Sequence, residues 1–175
     1  MAKSDSFFIR ADINCGGSTA TGFNDYFQVP IDLGAYVDAL GKSVLRVHNI
    51  AVAFTDSTGT QPEITGAEEA GAQFWLLTQS QPGPVLPSNK AVISTGNVTA
   101  HRSVSGDGIP GAVYDQFDNL PQLWTNGYLI AVDTMYLGGR ASEYWEGDVY
   151  CSITMECTVE TMTQAAAMAL ALSQQ

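Results

Sequence analysis

The side chains in this sequence suited to chemistry are few. They are two histidines, His48 and His101, three cysteines, Cys15, Cys151 and Cys157, and two glutamates four residues apart, Glu156 and Glu160. Two histidines with an Asp and a Glu would make a facial metal triad. Neither histidine stands in a paired spacing, however, and both fall inside strand-like stretches, where a hydrogen-bonded sheet histidine is expected. No serine sits in a Gly-x-Ser-x-Gly elbow, and no glycine-rich stretch matches a phosphate cradle or a dinucleotide fingerprint. Cys151 and Cys157 lie on one face of one strand, about 20 Å apart, too far to pair, because a disulfide needs Cα atoms within about 7 Å. Cys15 would bridge to one of them only if their strands were neighbours. All three cysteines read as small buried hydrophobes. Glu156 and Glu160 would be about 13 Å apart along a strand, beyond the separation of either retaining or inverting glycosidases. A glycosidase of the β-sandwich kind is therefore the weakest of three functional readings. No catalytic, metal-binding or cofactor-binding residue is expected, and the chain is not expected to be an enzyme.

Aromatic side chains offer a second kind of site, since their apolar faces stack on sugar rings. Trp75 stands between Phe74 and Leu76 and is expected in the core. Trp124 and Trp145 fall in turn regions and are the candidates for an exposed glycan-binding platform. The corresponding alternative function is a carbohydrate-binding β-sandwich module of the fibre or spike type. Asn97-Val98-Thr99 is a glycosylation sequon, read here as a chance match.

Composition narrows the choice. Charged residues make up 14% of 175, against about a quarter in ordinary globular chains, and there are 17 glycines. Net charge is −11, and the seven bases, Lys3, Arg10, Lys42, Arg46, Lys90, Arg102 and Arg140, are scattered singly. Nucleic-acid binding rests on clustered phosphate contacts, so direct binding is not expected. The first residues lack the apolar core of a signal peptide, and no run reaches the roughly 18 apolar residues of a membrane span. A soluble, single-domain, turn-rich β protein is expected.

The elements that would position these residues are mostly strands. From Asp148 to Glu160 the odd positions Val149, Cys151, Ile153, Met155, Cys157 and Val159 are apolar and most even ones polar, the pattern of a strand with one buried face. Phe7 to Cys15 alternates in the same way. Ser43 to Thr55 is a strand whose buried face switches near Asn49, which predicts a bulge. Further strands are expected over Tyr26–Val29, Gln73–Gln79, Ala112–Phe117 and Tyr128–Leu137, with a strand pair, Lys90–Ser94 and Asn97–Val104, turning at Thr95-Gly96. Asp56 to Ala72 reads as a long loop. Leu33, Tyr36, Val37 and Leu40 have helical spacing, with Asp32 as cap and Gly41 as stop, and predict one short early helix. Thr161-Met-Thr-Gln164 has the form of a capping box ahead of Ala165–Leu172, a run of strong helix formers. The expected architecture is all-β: an antiparallel eight-stranded jelly roll or β-sandwich over residues 1–160, with the early helix, and a C-terminal helical tail over 161–175.

That tail is the main functional clue. Met162, Ala166, Met168, Ala169, Leu170 and Leu172 form an apolar, small-residue surface with no charge, suited either to closing an end of its own barrel or to packing against a neighbouring subunit. Eight strands, long loops, no catalytic constellation and such a tail resemble the small single-jelly-roll viral capsid proteins, over roughly Ser6 to Glu160. The resemblance lies in architecture and composition, and no diagnostic motif carries it. It implies a capsid subunit that self-assembles into an icosahedral shell through contacts with its own copies and with other capsid proteins. It also implies a virion location after synthesis in the host cytoplasm. Many such proteins carry a basic N-terminal arm that meets the genome. Here the first ten residues hold only Lys3 and Arg10, so the layer beneath the shell is expected to be a membrane or a second protein layer.

Overall fold

The computed structural model describes residues 5–17, 25–38 and 42–175. Among these residues nine strands follow one another: β1 (Phe7–Asn14), β2 (Phe27–Asp32), β3 (Ser43–Thr55), β4 (Glu69–Leu77), β5 (Val92–His101), β6 (Ala112–Asn119), β7 (Tyr128–Ile130), β8 (Thr134–Ala141) and β9 (Tyr150–Thr161). A 3-10 turn, Pro121–Leu123, precedes β7, and helix α1 (Gln164–Ser173) closes the chain. Sheet one has the order β1-β9-β3-β7 and sheet two the order β2-β8-β4-β5-β6.

The antiparallel pairs are nested: β1 with β9, β2 with β8, β3 with β7, β4 with β5. A long double-stranded ribbon folded at β4–β5 and wrapped on itself gives this pairing, with the two sheets face to face. The fold is a jelly roll. β6 is an extra strand on the free edge of β5.

Strand period places the core. In β9, Cys151, Ile153, Met155 and Cys157 are all fully buried. They pack with Ile9 and Ile13 of β1 and, across the sandwich, with Phe74, Leu76, Met135 and Leu137. In β3 the buried face switches at the predicted bulge. Val47 pairs with Cys157 and Asn49 with Glu156, leaving His48 as the extra residue. Leu45 and Val47 face the core before it, and Ile50 after it.

Several expectations are corrected. Thr95-Gly96 is not a turn: β5 runs unbroken from Val92 to His101. Gly96 is there because a Cβ would lie 2.1 Å from the Phe117 ring and 2.7 Å from the Phe74 ring. The Tyr128–Leu137 stretch is two strands in different sheets, β7 and β8, with buried Ala131 and Val132 crossing between them. Its alternation continues through the crossing, so sequence shows no break. β4 begins at Glu69, inside the expected loop. The early helix is a single turn at Gly34–Tyr36, where the Tyr36 and Val37 N–H groups both donate to the Leu33 carbonyl. Leu33 and Val37 bury while chain pairing resumes at Ser43; Leu40 and Gly41 lie outside the described residues. The helix cap is Thr163, whose hydroxyl accepts from Ala166 N–H at 3.3 Å, and not Thr161. Thr161 is still paired to Ser43 as the last rung of β9, so the helix starts two residues later.

Candidate functional site

The side chains with chemical potential are dispersed by this fold. His48, at the β3 bulge, hydrogen-bonds through Nε2 to the Thr158 hydroxyl at 2.9 Å. His101 ends β5 in the other sheet, with Nδ1 3.4 Å from Glu69. Among the described residues no three His, Cys, Asp or Glu side chains gather as a metal site would require. Glu156 accepts from the Asn49 amide at 2.5 Å. Glu160 receives both Nε and Nη2 of Arg46, at 2.5 and 2.8 Å, and this ion pair raises the Arg46 pKa further. Each glutamate is thus tied to its own partner on β3.

The three thiols are free and buried. Burial pushes Cys15 and Cys157 up to about 12 and Cys151 well above its usual value, which disfavours the nucleophilic thiolate at neutral pH in all three. Strands β1 and β9 are neighbours, yet Cys15 is a free thiol in this structure. Its Sγ sits where a Cβ on Gly139 would come within 2.6 Å.

The tryptophans separate. Trp75 is buried, as its neighbours predict. Trp124 follows the 3-10 turn and is 55% exposed. Trp145 is only 3% exposed, and its indole N–H donates to the Gly71 carbonyl at 3.1 Å. It offers no face to a ligand, which corrects the expectation of an exposed platform there. The turn around it is pinned by the buried Ile64, which bridges to Gly108 and Trp145. This joins the loops before β4, before β6 and before β9 at one end of the sandwich.

The terminal helix lies against its own domain along one flank. Ala167 and Ala171 are buried beside Val44 and Ala131, with Leu129, Met162 and Leu170 packed around them. Gln174 fastens its end. Its Nε2 donates to the Leu129 carbonyl at 2.7 Å and its Oε1 accepts from Ala131 N–H at 2.9 Å. The glutamine thereby replaces a strand partner where β7 leaves the sheet. Thr78 adds a bond to the Gln174 carbonyl at 3.0 Å. On the opposite flank Met168 is 43% and Leu172 69% exposed, with Ala169 exposed beside them and Ala166 half-buried. No residue from Gln164 to Ser173 is charged.

No protein-family model matches the sequence, and no curated protein matches it. Solved structures with a similar fold include viral capsid proteins. The coat protein VP1 of Trichodysplasia spinulosa-associated polyomavirus, solved with sialylated glycooligomers, aligns at 10% identity and a TM-score of 0.42, over 90% of this chain and 95% of that one. Merkel cell polyomavirus VP1, as an unassembled pentamer, gives 8% and 0.40 over 92% and 98%. Cocksfoot mottle virus gives 11% and 0.36 over 93% and 100%. The likeness is one of fold. Among the described residues no helix is long and apolar enough to cross a membrane.

Nothing in the sequence marks Gln174 as a fastening residue, because its role depends on a backbone gap created by the β7–β8 crossing. Gln122 is equally unmarked in the sequence: its amide pairs with both backbone groups of Ile50, at 3.0 and 2.9 Å, beyond the β3 residues that β7 covers.

Proposed function

We propose that this chain is a structural shell protein, a jelly-roll capsid subunit that assembles with its own copies and with other capsid proteins into an icosahedral virion. The observation that carries this reading is α1. It is uncharged, buries only small side chains on its own domain, and turns Met168, Ala169 and Leu172 outward. An element apolar on all sides is ordinarily covered on all sides, and in a homo-oligomer the cover is another copy. Met162 and Leu170 tie the helix to its own domain, Ala166 stands at the boundary, and the outward residues form the contact. The low charge fraction suits surfaces that pack against copies. The described surface has no basic patch to meet a genome, so the shell borders a membrane or a second protein layer. The subunit is made in the host cytoplasm and resides in the virion.

Light scattering and negative-stain microscopy of purified protein test this. Particles or closed oligomers are expected. The double variant Met168→Glu, Leu172→Glu should fall to monomers with the melting temperature nearly unchanged, because a carboxylate buried in an apolar contact costs several kcal/mol while an exposed one costs almost nothing. A wild-type protein that stays monomeric at high concentration would overturn the proposal. So would a double variant that assembles normally.

A further inference from the structure

The outer face of sheet two carries a polar row that only strand register reveals. Arg140 on β8 pairs with Gln73 on β4, Gln73 with Asn97 on β5, and Asn97 with Gln116 on β6. At about 4.8 Å per strand this rung spans roughly 14 Å. The next rung holds Trp75, Thr95 and Asn119. The segment after β4 folds back over it, with the Trp75 indole N–H donating to the Val85 carbonyl at 3.1 Å. Val85 and Pro87 wall one side, and the bulged end of β6, with Asp118 and Asn119, walls the other. The cleft between them holds about 310 Å³.

We propose that this cleft binds a neutral pyranose ring. Its volume lies at the low end of small-ligand sites, which run from about 300 to 1,000 Å³, so the ligand is about one ring in size. Its polar groups are amides and a hydroxyl that have capacity left over. Among the described residues the Asn97 amide and the Thr95 hydroxyl have no hydrogen-bond partner. Gln73 gives only its Oε1, to Arg140 at 3.0 Å, and Gln116 only its Nε2, to Asp118 at 2.7 Å. Each planar amide offers a donor and an acceptor side by side, which matches the vicinal hydroxyls of a sugar. Val85, Pro87 and the rim of Trp75 receive its C–H face. Asp118 and the net charge of −11 select against an anionic ligand. The site is separate from α1 and holds whether or not the chain assembles.

Saturation-transfer difference NMR tests this on whole protein, assembled or not. The probes are the methyl glycosides of glucose, galactose, mannose and N-acetylglucosamine, with methyl sialoside as the anionic arm. Saturable transfer to at least one neutral probe is expected, with its Kd rising about tenfold in Asn97→Ala, the loss of a well-placed hydrogen-bonding amide. Gln116→Ala, on the exposed strand β6, should weaken binding in the same direction and keeps the test decisive if Asn97→Ala fails to fold. No saturable transfer to any neutral probe would overturn the proposal. So would binding unchanged in the variants, or binding to the sialoside alone.

Discussion

Gly127 and Gly59 both hold a left-handed backbone, with φ of +62° and +84°, but their surroundings differ. A Cβ on Gly127 would lie 2.2 Å from the Val47 carbonyl oxygen, whereas one on Gly59 meets nothing within 4 Å. Left-handed strain costs about 1–2 kcal/mol for a residue with a side chain. Gly59→Ala should therefore lose about that much, and Gly127→Ala clearly more, because β3 backbone must move. Urea denaturation of the two variants checks the order. The thiols make a second prediction at this scale. Burial pushes the Cys15 and Cys157 thiols up to about 12 in the folded protein, from 9.0 in the unfolded chain. The unfolded chain thus binds fewer protons above pH 9, and stability must fall as pH rises from 9 towards 12. The slope is about 1.4 kcal/mol per pH unit for each thiol. Melting curves from pH 7 to 11 should show a plateau and then this decline, reduced in Cys15→Ser. Burial also makes alkylation of the native protein slow.

At the scale of elements, Gln174 is the test of how α1 is held. Gln174→Ala removes two hydrogen bonds and leaves the buried Ala131 N–H without a partner, at a cost of about 1–3 kcal/mol. Calorimetry should show a lower Tm with the sandwich still folded, and amide exchange should quicken in α1 before it does in β9. The same element shows what the sequence reveals and what it hides. β1 and β9 were legible almost residue for residue, because each has one wet face and one dry face and the period of two is unbroken. The β3 bulge was legible too, since the apolar parity changes at Asn49. The Tyr128–Leu137 stretch misled because Ala131 and Val132 are buried in the crossing, so a break in pairing left no break in hydrophobicity. Gly96 misled because its function is to make room for Phe117, a partner 21 residues on. The polar rung of Gln73, Asn97 and Gln116 was invisible for the same reason. Each is an ordinary polar strand residue until the register aligns them.

For the whole molecule the charge matters more than any one contact. Copies of this chain, each of net charge −11, repel one another, so in the proposed assembly the apolar flank of α1 acts against that repulsion. The Debye length shrinks from about 10 Å at 0.1 M salt to about 3 Å at 1 M. Assembly should therefore strengthen as salt rises, which sedimentation at a fixed protein concentration will show. Weaker association at high salt would mean that charged pairs, and not apolar flanks, hold the copies together. The nested pairing has a further consequence, in time. Among the described residues β9 is the last strand in sequence, yet it lies between β1 and β3 and is the only strand that pairs with β1. Until it leaves the ribosome, sheet one is missing its middle and β1 has no neighbour. Pairing over such long sequence separations is slow, with folding in milliseconds to seconds. The chain therefore completes its sandwich only after β9 has emerged, and α1, which follows β9 in the sequence, reaches its place no earlier.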